Sequence, residues 1–553
     1  IVETREGSIL VEPFNNWRFF KENNNREWKY IEDERFLKRL KLWFENLENL
    51  VEVPQNKIEN FYEVDKRNNT IAASYFPKWM FCPTCKRFDH LDNWLKKWKN
   101  ETGNNEYHPP KCYHCYHNKK GKRKLEQIRF ILTSPSGNIA DILWDKWVFC
   151  QQKKSDSEEV SEDEKGIKKL DFDREPPKNV FYEYITSDKF NNLTGISIVA
   201  KDIETNKVIK RATLSGLFSL RVPEFCVIDN NSKTMMKTAI RSSNSVYYPN
   251  ILQSLQLPKK YNNQANTESE YRLSEFRFIT QIKEGYDDGF LTIEKLNQDL
   301  LSGIKLKHIY RLDSLKMTSV QVSYTRQEPI DKDFYLQEDS PEQRNQGQLI
   351  KKQYTSAYGT NTKYLPAIEN VGEGIFFEFD KDLIDKWTKE NPDLYERAKV
   401  IQENYDNTKL SPNEYRNISP KYLLIHTFSH ILIKELEFLS GYPATSLQER
   451  LYIDADMQGV LIYTIAGAEG SYGGLVSLCD EDDCKINQLI ESALERATDC
   501  SADPICENTD LNGQGVGGTN LAACYSCALL PETSCEEFNR FLDRKTLHSF
   551  FEV

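Results

Sequence analysis

Two stretches, CSADPIC (500–506) and AACYSCALLPETSCEEFNRFLDR (522–544), carry five of the thirteen cysteines of this sequence. Cys524 and Cys527 have the C-x2-C spacing with which one tight turn places two thiolates on a single metal ion. Cys500 and Cys506 can supply the second pair. Cys535 is then either a spare thiol or a replacement for Cys500. The pattern predicts a four-sulfur zinc site, and closed sites of this kind are more often structural than catalytic.

A second group of cysteines lies far upstream, in FPKWMFCPTC and KCYHC. Cys82 and Cys85 form one C-x2-C pair, and Cys112 and Cys115 form another. Two such pairs at this separation are typical of a zinc ribbon. A redox-active C-x-x-C is disfavoured because thioredoxin-like sites use one pair. We therefore expect one or two structural Zn²⁺ ions in the chain.

Length and composition indicate a globular protein with several domains. The sequence has 553 residues, 39% of them hydrophobic, and a formal net charge of −11. It contains no apolar run of about 18 residues and no signal-peptide pattern, so we expect a protein without a membrane span. Cysteines paired as C-x2-C units favour a reducing cytoplasm.

The acidic balance opposes non-specific DNA binding by the surface as a whole. Contact with DNA would then be local or made through a partner. One candidate is a cluster that we call the basic loop, made of Lys119, Lys120, Lys122, Arg123 and Lys124. Arg241 and Arg540 are further candidates for phosphate contacts, although a solvated loop and a buried hydrogen-bonded corner are the alternatives for the basic loop and Arg241.

The fold class predicted is α+β and multidomain, with an N-terminal zinc ribbon and a C-terminal α/β domain closed by the four-cysteine site. The predicted regions are a helical N-terminal region (1–75), the zinc-ribbon domain (76–150), an acidic linker (151–166), a mixed α/β middle region (167–405) and a C-terminal cysteine-rich domain (406–553). In the first of these, DERFLKRLKLWFENL places Phe36, Leu40, Trp43, Phe44 and Leu47 on one helical stripe, with Asp33 as cap.

The C-terminal region has the clearest local signals. Ser419-Pro420 predicts the start of a helix through YLLIHTFSHILIKELEFL, and Gly441 its end. We expect a buried strand at 460–465 and a helix at 486–497. Upstream, a Gly-Glu-Gly turn at 372–374 is predicted to lead into a buried strand.

His426 and His430 are four residues apart and share one helical face, as two zinc ligands do. With a carboxylate such as Glu435 or Glu469 they would form a metal-dependent hydrolase site acting on nucleic acid. Thr427, however, stands where a zinc protease needs its general-base glutamate, which favours core or interface histidines. The sequence also contains no G-x4-G-K-[ST] or G-x-S-x-G motif, so we expect no catalytic role.

A family resemblance adds to this interpretation. HTFSHILIKELEFLSGYPATSLQERLYI and GVLIYTIAGAEGSYGGLVSL, followed by the two cysteine stretches, resemble the cysteine-bearing domain of Mrf-type DNA-repair helicases. That resemblance implies that the cysteines hold zinc.

Upstream pieces extend the resemblance over about 76–544. FPKWMFCPTC, RFILTSPSGNIADILW, SSNSVYYPNILQSLQLP, SVQVSYTR and GEGIFFEF resemble, in this order, the DrmB family of the DISARM anti-phage system. This implies a subunit that pairs with a separate helicase, DrmA, and engages invading phage DNA with the ATP site in the partner. An accessory protein of a DNA-repair helicase is the alternative that the same resemblance leaves open.

Overall fold

The structure is a computed structural model. It describes residues 1–13, 16–17, 29–41, 44, 46–53, 71–103, 109–135, 137–152, 167–187, 189–190, 192–229, 231–258, 261, 268–283, 285–301, 303–327, 329, 363–407, 417–464, 473–509 and 512–552. The predicted acidic linker lies outside the described residues from 153 to 166, and so do Trp43 and Glu469.

Strands dominate the described residues up to 379. The first ten are β1 (Val2–Thr4), β2 (Gly7–Val11), β3 (Tyr30–Ile31), β4 (Asn49–Glu52), β5 (Ala73–Tyr75), β6 (Trp79–Phe81), β7 (Arg87–His90), β8 (Glu126–Gln127), β9 (Phe130–Thr133) and β10 (Ile139–Ala140). The next six are β11 (Val180–Thr186), β12 (Ile196–Asp202), β13 (Val208–Thr213), β14 (Arg221–Pro223), β15 (Met235–Ile240) and β16 (Tyr248–Leu255). The last six are β17 (Gly285–Asp287), β18 (Thr292–Lys295), β19 (Leu306–Thr325), β20 (Tyr364–Phe379), β21 (Leu447–Asp454) and β22 (Met457–Thr464).

Helices are concentrated towards the C-terminal end. They are α1 (Glu34–Lys41), α2 (Leu91–Thr102), α3 (Tyr113–His117), α4 (Trp144–Phe149), α5 (Glu268–Thr280), α6 (Lys381–Glu390), α7 (Asp393–Asp406), α8 (Pro420–Leu439), α9 (Ile486–Thr498) and α10 (Arg544–Phe551). None of these described helices combines the length and the apolar character that a bilayer crossing requires.

A nine-stranded sheet lies at the centre of the described C-terminal half, with its main path in the order β17-β18-β19-β20-β22-β21. Successive side chains of β20 point to opposite faces of this sheet, as a strand requires. Phe376 contacts Phe276 of α5 with ring centroids 5.9 Å apart, and Phe377 contacts Phe428 of α8 at 5.7 Å. Helices therefore cover both faces, which explains why β22 is buried along its whole length and β20 from Glu373 to Phe379.

Helix α8 is the buried centre of the C-terminal region. The Ser419 hydroxyl accepts a hydrogen bond from Tyr422 N at 3.2 Å, Pro420 occupies the first turn, and Gly441 follows in the left-handed conformation (φ 73°). These are the start and stop signals expected from the sequence. Because the helix is apolar on nearly all sides, it packs against β21 and β22 as well as α9 and α10.

A six-stranded sheet, in the order β13-β12-β11-β7-β6-β8, joins the cysteine-bearing N-terminal segment to the strands that follow the acidic stretch. Phe88 of β7 pairs with Tyr182 of β11, and Trp144, Ile198 and other apolar side chains from both segments fill one core. The predicted separation at 151–166 therefore does not divide two cores.

The nine-stranded sheet likewise crosses the boundary predicted at 405–406. Phe377 of β20 pairs with Val460 of β22, although the two strands belong to different predicted regions. The Gly-Glu-Gly segment lies inside β20 rather than in a turn before it. A Cβ on Gly372 would lie 2.4 Å from the carbonyl oxygen of Thr464, so glycine permits the close approach of two strands there.

Residues 1–75 differ from the helical region that we predicted. Their described parts contain the five strands β1 to β5 and the short helix α1. Asp33 does cap this helix, since its carboxylate accepts a hydrogen bond from Phe36 N at 2.8 Å. Leu47, which the apolar periodicity placed on the helix, lies beyond the end of α1. It is buried just before β4.

Candidate metal centres

The first cysteine tetrad is built by a strand end and a helix start. Cys82 follows β6 directly, Cys85 lies in the turn before β7, and Cys112 is the N-cap residue of the helix that contains Cys115. The Sγ atoms of Cys82 and Cys115 are 3.7 Å apart, and those of Cys85 and Cys112 are 3.6 Å apart. Four sulfurs around a tetrahedral Zn²⁺ at about 2.3 Å would be roughly 3.8 Å from one another.

The second tetrad unites the two C-terminal cysteine stretches. The Sγ atoms of Cys500 and Cys524 are 3.4 Å apart, and those of Cys506 and Cys527 are 3.8 Å apart. All four ligand atoms lie within 4.8 Å of one another. Disulfide sulfurs would be about 2.0 Å apart, so these are free thiols in a metal-binding arrangement. Both tetrads fit structural zinc ions.

Nearby donors and cations favour thiolates in the second tetrad. Burial raises the pKa of Cys524 but the neighbouring Cys500 thiol lowers it, which leaves the pKa at about 7. Arg544 donates to Asp503 at 3.1 Å and lies 3.9 Å from the sulfur of Cys506. The Lys434 ammonium donates to the backbone beside Cys527. These two cations offset the negative charge that four thiolates retain around one Zn²⁺.

Cys535 does not join the second tetrad. Its sulfur lies 3.4 Å from Nε2 of His426, in a buried cluster that also contains His430 and Glu449. Cys535 therefore does not replace Cys500. The segment NRFLDR, which lies close after it, has little regular secondary structure, and helix α10 begins only at its last residue, Arg544.

Glu449 is the member of this cluster that sequence reasoning missed. The carboxylates considered for the two histidines were Glu435, which pairs with Arg496 at 3.2 Å, and Glu469, which lies outside the described residues. A signal for Glu449 was present in the sequence. It alternates with Leu447 and Leu451 on the inward face of β21, where a carboxylate needs a partner.

The candidate DNA-contacting residues divide into two groups. All five side chains of the basic loop are exposed, directly after the helix that carries Cys115. Arg241 instead donates to the Ile128 carbonyl at 3.0 Å and pairs with Glu3 at 3.1 Å. Arg540 is buried, with its guanidinium 4.8 Å from the ring centre of Phe541. The prediction of a phosphate contact by Arg540 is therefore corrected, because its head group does not reach the surface.

Comparison with known families agrees with the position of the second tetrad. Residues 428–528 match a family model described as the MrfA Zn-binding domain, and this range contains the whole second tetrad. Residues 1–248 match a model described as a domain of unknown function (DUF8724), and that range contains the first tetrad. The C-terminal region is thus a zinc-binding domain of the MrfA type.

A second comparison finds a relative that is named as a DISARM protein. The chain is 40% identical over 223 residues to the DISARM protein DrmB of Bacillus paralicheniformis. The alignment covers 38% of this chain and 37% of that protein, well under two thirds of the relative's length. This match confirms the resemblance to DrmB that we inferred from the sequence, over the 223 aligned residues.

Proposed function

We propose that this protein is a zinc-stabilised, non-catalytic subunit of a DISARM-type defence system. In this proposal it pairs in the cytoplasm with a separate DrmA-like helicase and helps it to engage invading phage DNA. The observation that carries the proposal is the cysteine tetrad at 500–527, which lies inside the MrfA-type match of a chain similar to DrmB.

A non-catalytic role is supported by the coordination chemistry of the tetrads. Each offers four protein ligands to one ion, and a closed zinc site leaves no position at which water could be activated. No Walker-type phosphate loop occurs in these 553 residues, and in this proposal the partner hydrolyses ATP. The first tetrad, in this proposal, is the zinc ribbon that fixes the fold of the N-terminal half.

Reconstitution with the helicase encoded beside it tests the proposal. We expect the two proteins to co-purify and this chain to change the DNA-stimulated ATPase of the helicase, while the chain alone hydrolyses no ATP. Cells that carry the complete system should lose phage resistance when this chain is deleted. Failure of the chain to bind the co-expressed helicase would sink the proposal.

Direct DNA contact is proposed for the basic loop. Its five exposed cations lie next to a tetrad that fixes the loop at its start, because Lys120 N donates to the Cys115 carbonyl at 2.8 Å. Contacts to phosphate release counterions, so binding should weaken steeply with salt and show little base preference. DNA binding by the complex should show a shallower salt dependence after charge reversal at Lys119, Lys120, Lys122 and Lys124. An unchanged salt dependence would show that the basic loop does not contact DNA.

An accessory role with a DNA-repair helicase is a second candidate, supported by the MrfA-type match at 428–528. The two candidates share the partner class and differ in the DNA that is engaged. Deletion strains challenged separately with phage and with a DNA-damaging agent distinguish them. Sensitivity to phage alone supports defence, and sensitivity to damage alone supports repair.

A further inference from the structure

Helix α8, strand β21 and the turn after the second tetrad meet at four side chains that are typical metal ligands. His426 and His430 come from successive turns of α8, Glu449 from the inward face of β21, and Cys535 from the turn. Only His430 and Glu449 lie within the range that matches the MrfA-type domain. The cluster shares no residue with the four-cysteine site and is distinct from it.

The distances between the four side chains suit ligands of a single metal ion. Nε2 of His426 lies 3.0 Å from Oε1 of Glu449 and 3.4 Å from the sulfur of Cys535. Nε2 of His430 lies 3.6 Å from the same carboxylate oxygen. All four ligand atoms are within 4.8 Å of one another, and ligands around a tetrahedral Zn²⁺ are separated by roughly 3.3–3.8 Å.

Neighbouring groups orient the four side chains towards a common centre. His430 Nδ1 lies 2.8 Å from the Ala528 carbonyl, so it carries the proton and leaves the Nε2 lone pair facing the cluster. The backbone N–H groups of Glu537 and Asn539 donate to the sulfur of Cys535 at 3.3 and 3.2 Å and hold it beside His426. Ser429 donates to the second carboxylate oxygen of Glu449.

Burial makes this arrangement costly without a further group. His426 and His430 are fully buried, and Glu449 and Cys535 are 1% and 5% exposed. Among the described residues, Nε2 of His430, the ring nitrogen that faces the cluster, has no hydrogen-bond partner. A buried polar atom without a partner costs about 1–3 kcal/mol, so a native cluster of this kind calls for an additional ligand.

We propose that His426, His430, Glu449 and Cys535 bind a Zn²⁺ ion in a third, mixed-ligand site. Two imidazoles, a carboxylate and a thiolate are all ordinary zinc ligands. Two negative ligands and two neutral ones balance the charge of the ion, so the site is neutral in a dry interior. Four protein ligands close the coordination sphere, which makes the site structural.

The third site would join the second tetrad to the core of the domain. Ala528, which accepts the hydrogen bond of His430, directly follows the tetrad residue Cys527. Zinc bound here fastens α8 and β21 to the turn at 535, a region where Phe538 and Asn539 have positive φ angles. The ion would stabilise this turn, which has no helix or strand hydrogen bonds of its own.

Metal content of the full chain tests this directly. Purified wild-type protein should contain three zinc ions per chain, and crystals should give an anomalous peak at the zinc edge between these four side chains. Two zinc ions per chain with no such peak, or a different metal in that position, would overturn the assignment. This outcome is independent of helicase binding, so it can fail while the proposed function holds.

Single substitutions locate the ion. His430→Ala and Cys535→Ser should each reduce the zinc content from three ions to two, while Cys226→Ser, which changes a cysteine outside all three ligand groups, should retain three. A folded Cys535→Ser protein that keeps three zinc ions would contradict the site. Should a variant fail to fold, the anomalous measurement on the wild type still decides.

Discussion

Glu275 of α5 is a buried carboxylate held between two arginine side chains. Its oxygens accept from Arg35 at 2.9 Å and Arg450 at 2.7 Å, and Tyr452 donates to it at 2.9 Å. Burial opposes ionisation of Glu275, but Arg450 and Arg35 lower its pKa to about 2, from an ordinary value of 4.5. The lowered pKa means that the ionised form stabilises the fold above pH 4.5, and that this contribution is lost as the pH falls towards 2.

We predict that Glu275→Gln lowers the free energy of unfolding by about 3 kcal/mol at pH 7, since it leaves two buried arginines short of a partner. The difference from wild type should shrink at pH 3.5, because wild-type Glu275 then loses part of its advantage. Urea unfolding of both proteins at the two pH values measures this. Glu294→Gln, at an exposed position of β18, is the control. A difference in the free energy of unfolding that is the same at both pH values would contradict a lowered pKa of Glu275.

Arg540 is a buried cation with a structural role and not a DNA-binding one. Its side chain is 4% exposed and pairs with Glu537 at 3.6 Å. We predict that Arg540→Ala lowers the free energy of unfolding by about 2 kcal/mol through lost packing and a broken pair. The salt dependence of DNA binding by the folded complex should not change. A variant of wild-type stability with a shallower salt slope would return Arg540 to the interface.

Metal ligands that follow a local spacing could be predicted from the sequence, whereas the position of Glu449 beside the two histidines could not. Each C-x2-C pair is formed within one turn, so its chemistry is visible in the order of residues. The cluster, in contrast, joins residues that are far apart in the sequence. Glu449 follows His426 by 23 residues, and Cys535 follows it by 109 residues. Its assembly requires the fold of the whole C-terminal region.

At the scale of elements, close packing of β20 on β22 depends on glycine. A Cβ at position 372 would meet the Thr464 backbone oxygen at 2.4 Å, which a rotation of a side chain cannot relieve. We predict that Gly372→Ala destabilises the protein by about 1–3 kcal/mol, as overpacking does. Thermal unfolding measures the change.

Gly285→Ala in β17 is the matched control, because its Cβ would lie at an ordinary 3.5 Å from the Ile293 carbonyl. We expect a change of about 0.5 kcal/mol or less there. Equal effects of the two substitutions would show that the contact at Thr464 does not limit the packing of these strands.

Helices were easier to predict than the pairing of strands. The capping serine, the first-turn proline and Gly441 are local signals, and they give the bounds of α8 from the sequence. Pairing of β7 with β11, or of β20 with β22, joins segments about 80 to 100 residues apart, and the hydrophobic pattern of a strand does not name its partner. For the same reason the predicted domain boundaries cut through two sheets.

At the scale of the whole molecule, the metal centres hold together a C-terminal region in which loops replace regular structure. The second tetrad joins the chain after α9 to the turn at 524–527, and Arg544 at the start of α10 donates to the Ala497 carbonyl of α9 at 2.7 Å. Loss of this zinc should therefore alter a surface larger than the tetrad. In our proposal that surface supports helicase binding.

Co-purification of a Cys524→Ser variant with the adjacent helicase tests this account most directly. Zinc content and helicase binding should fall together, since the tetrad acts through the fold of the domain and not through chemistry. Ser501→Ala, an exposed change beside Cys500, should keep both. A Cys524→Ser protein that remains folded and bound to the helicase, yet loses only the defence activity of the complex, would contradict a structural role for this zinc site.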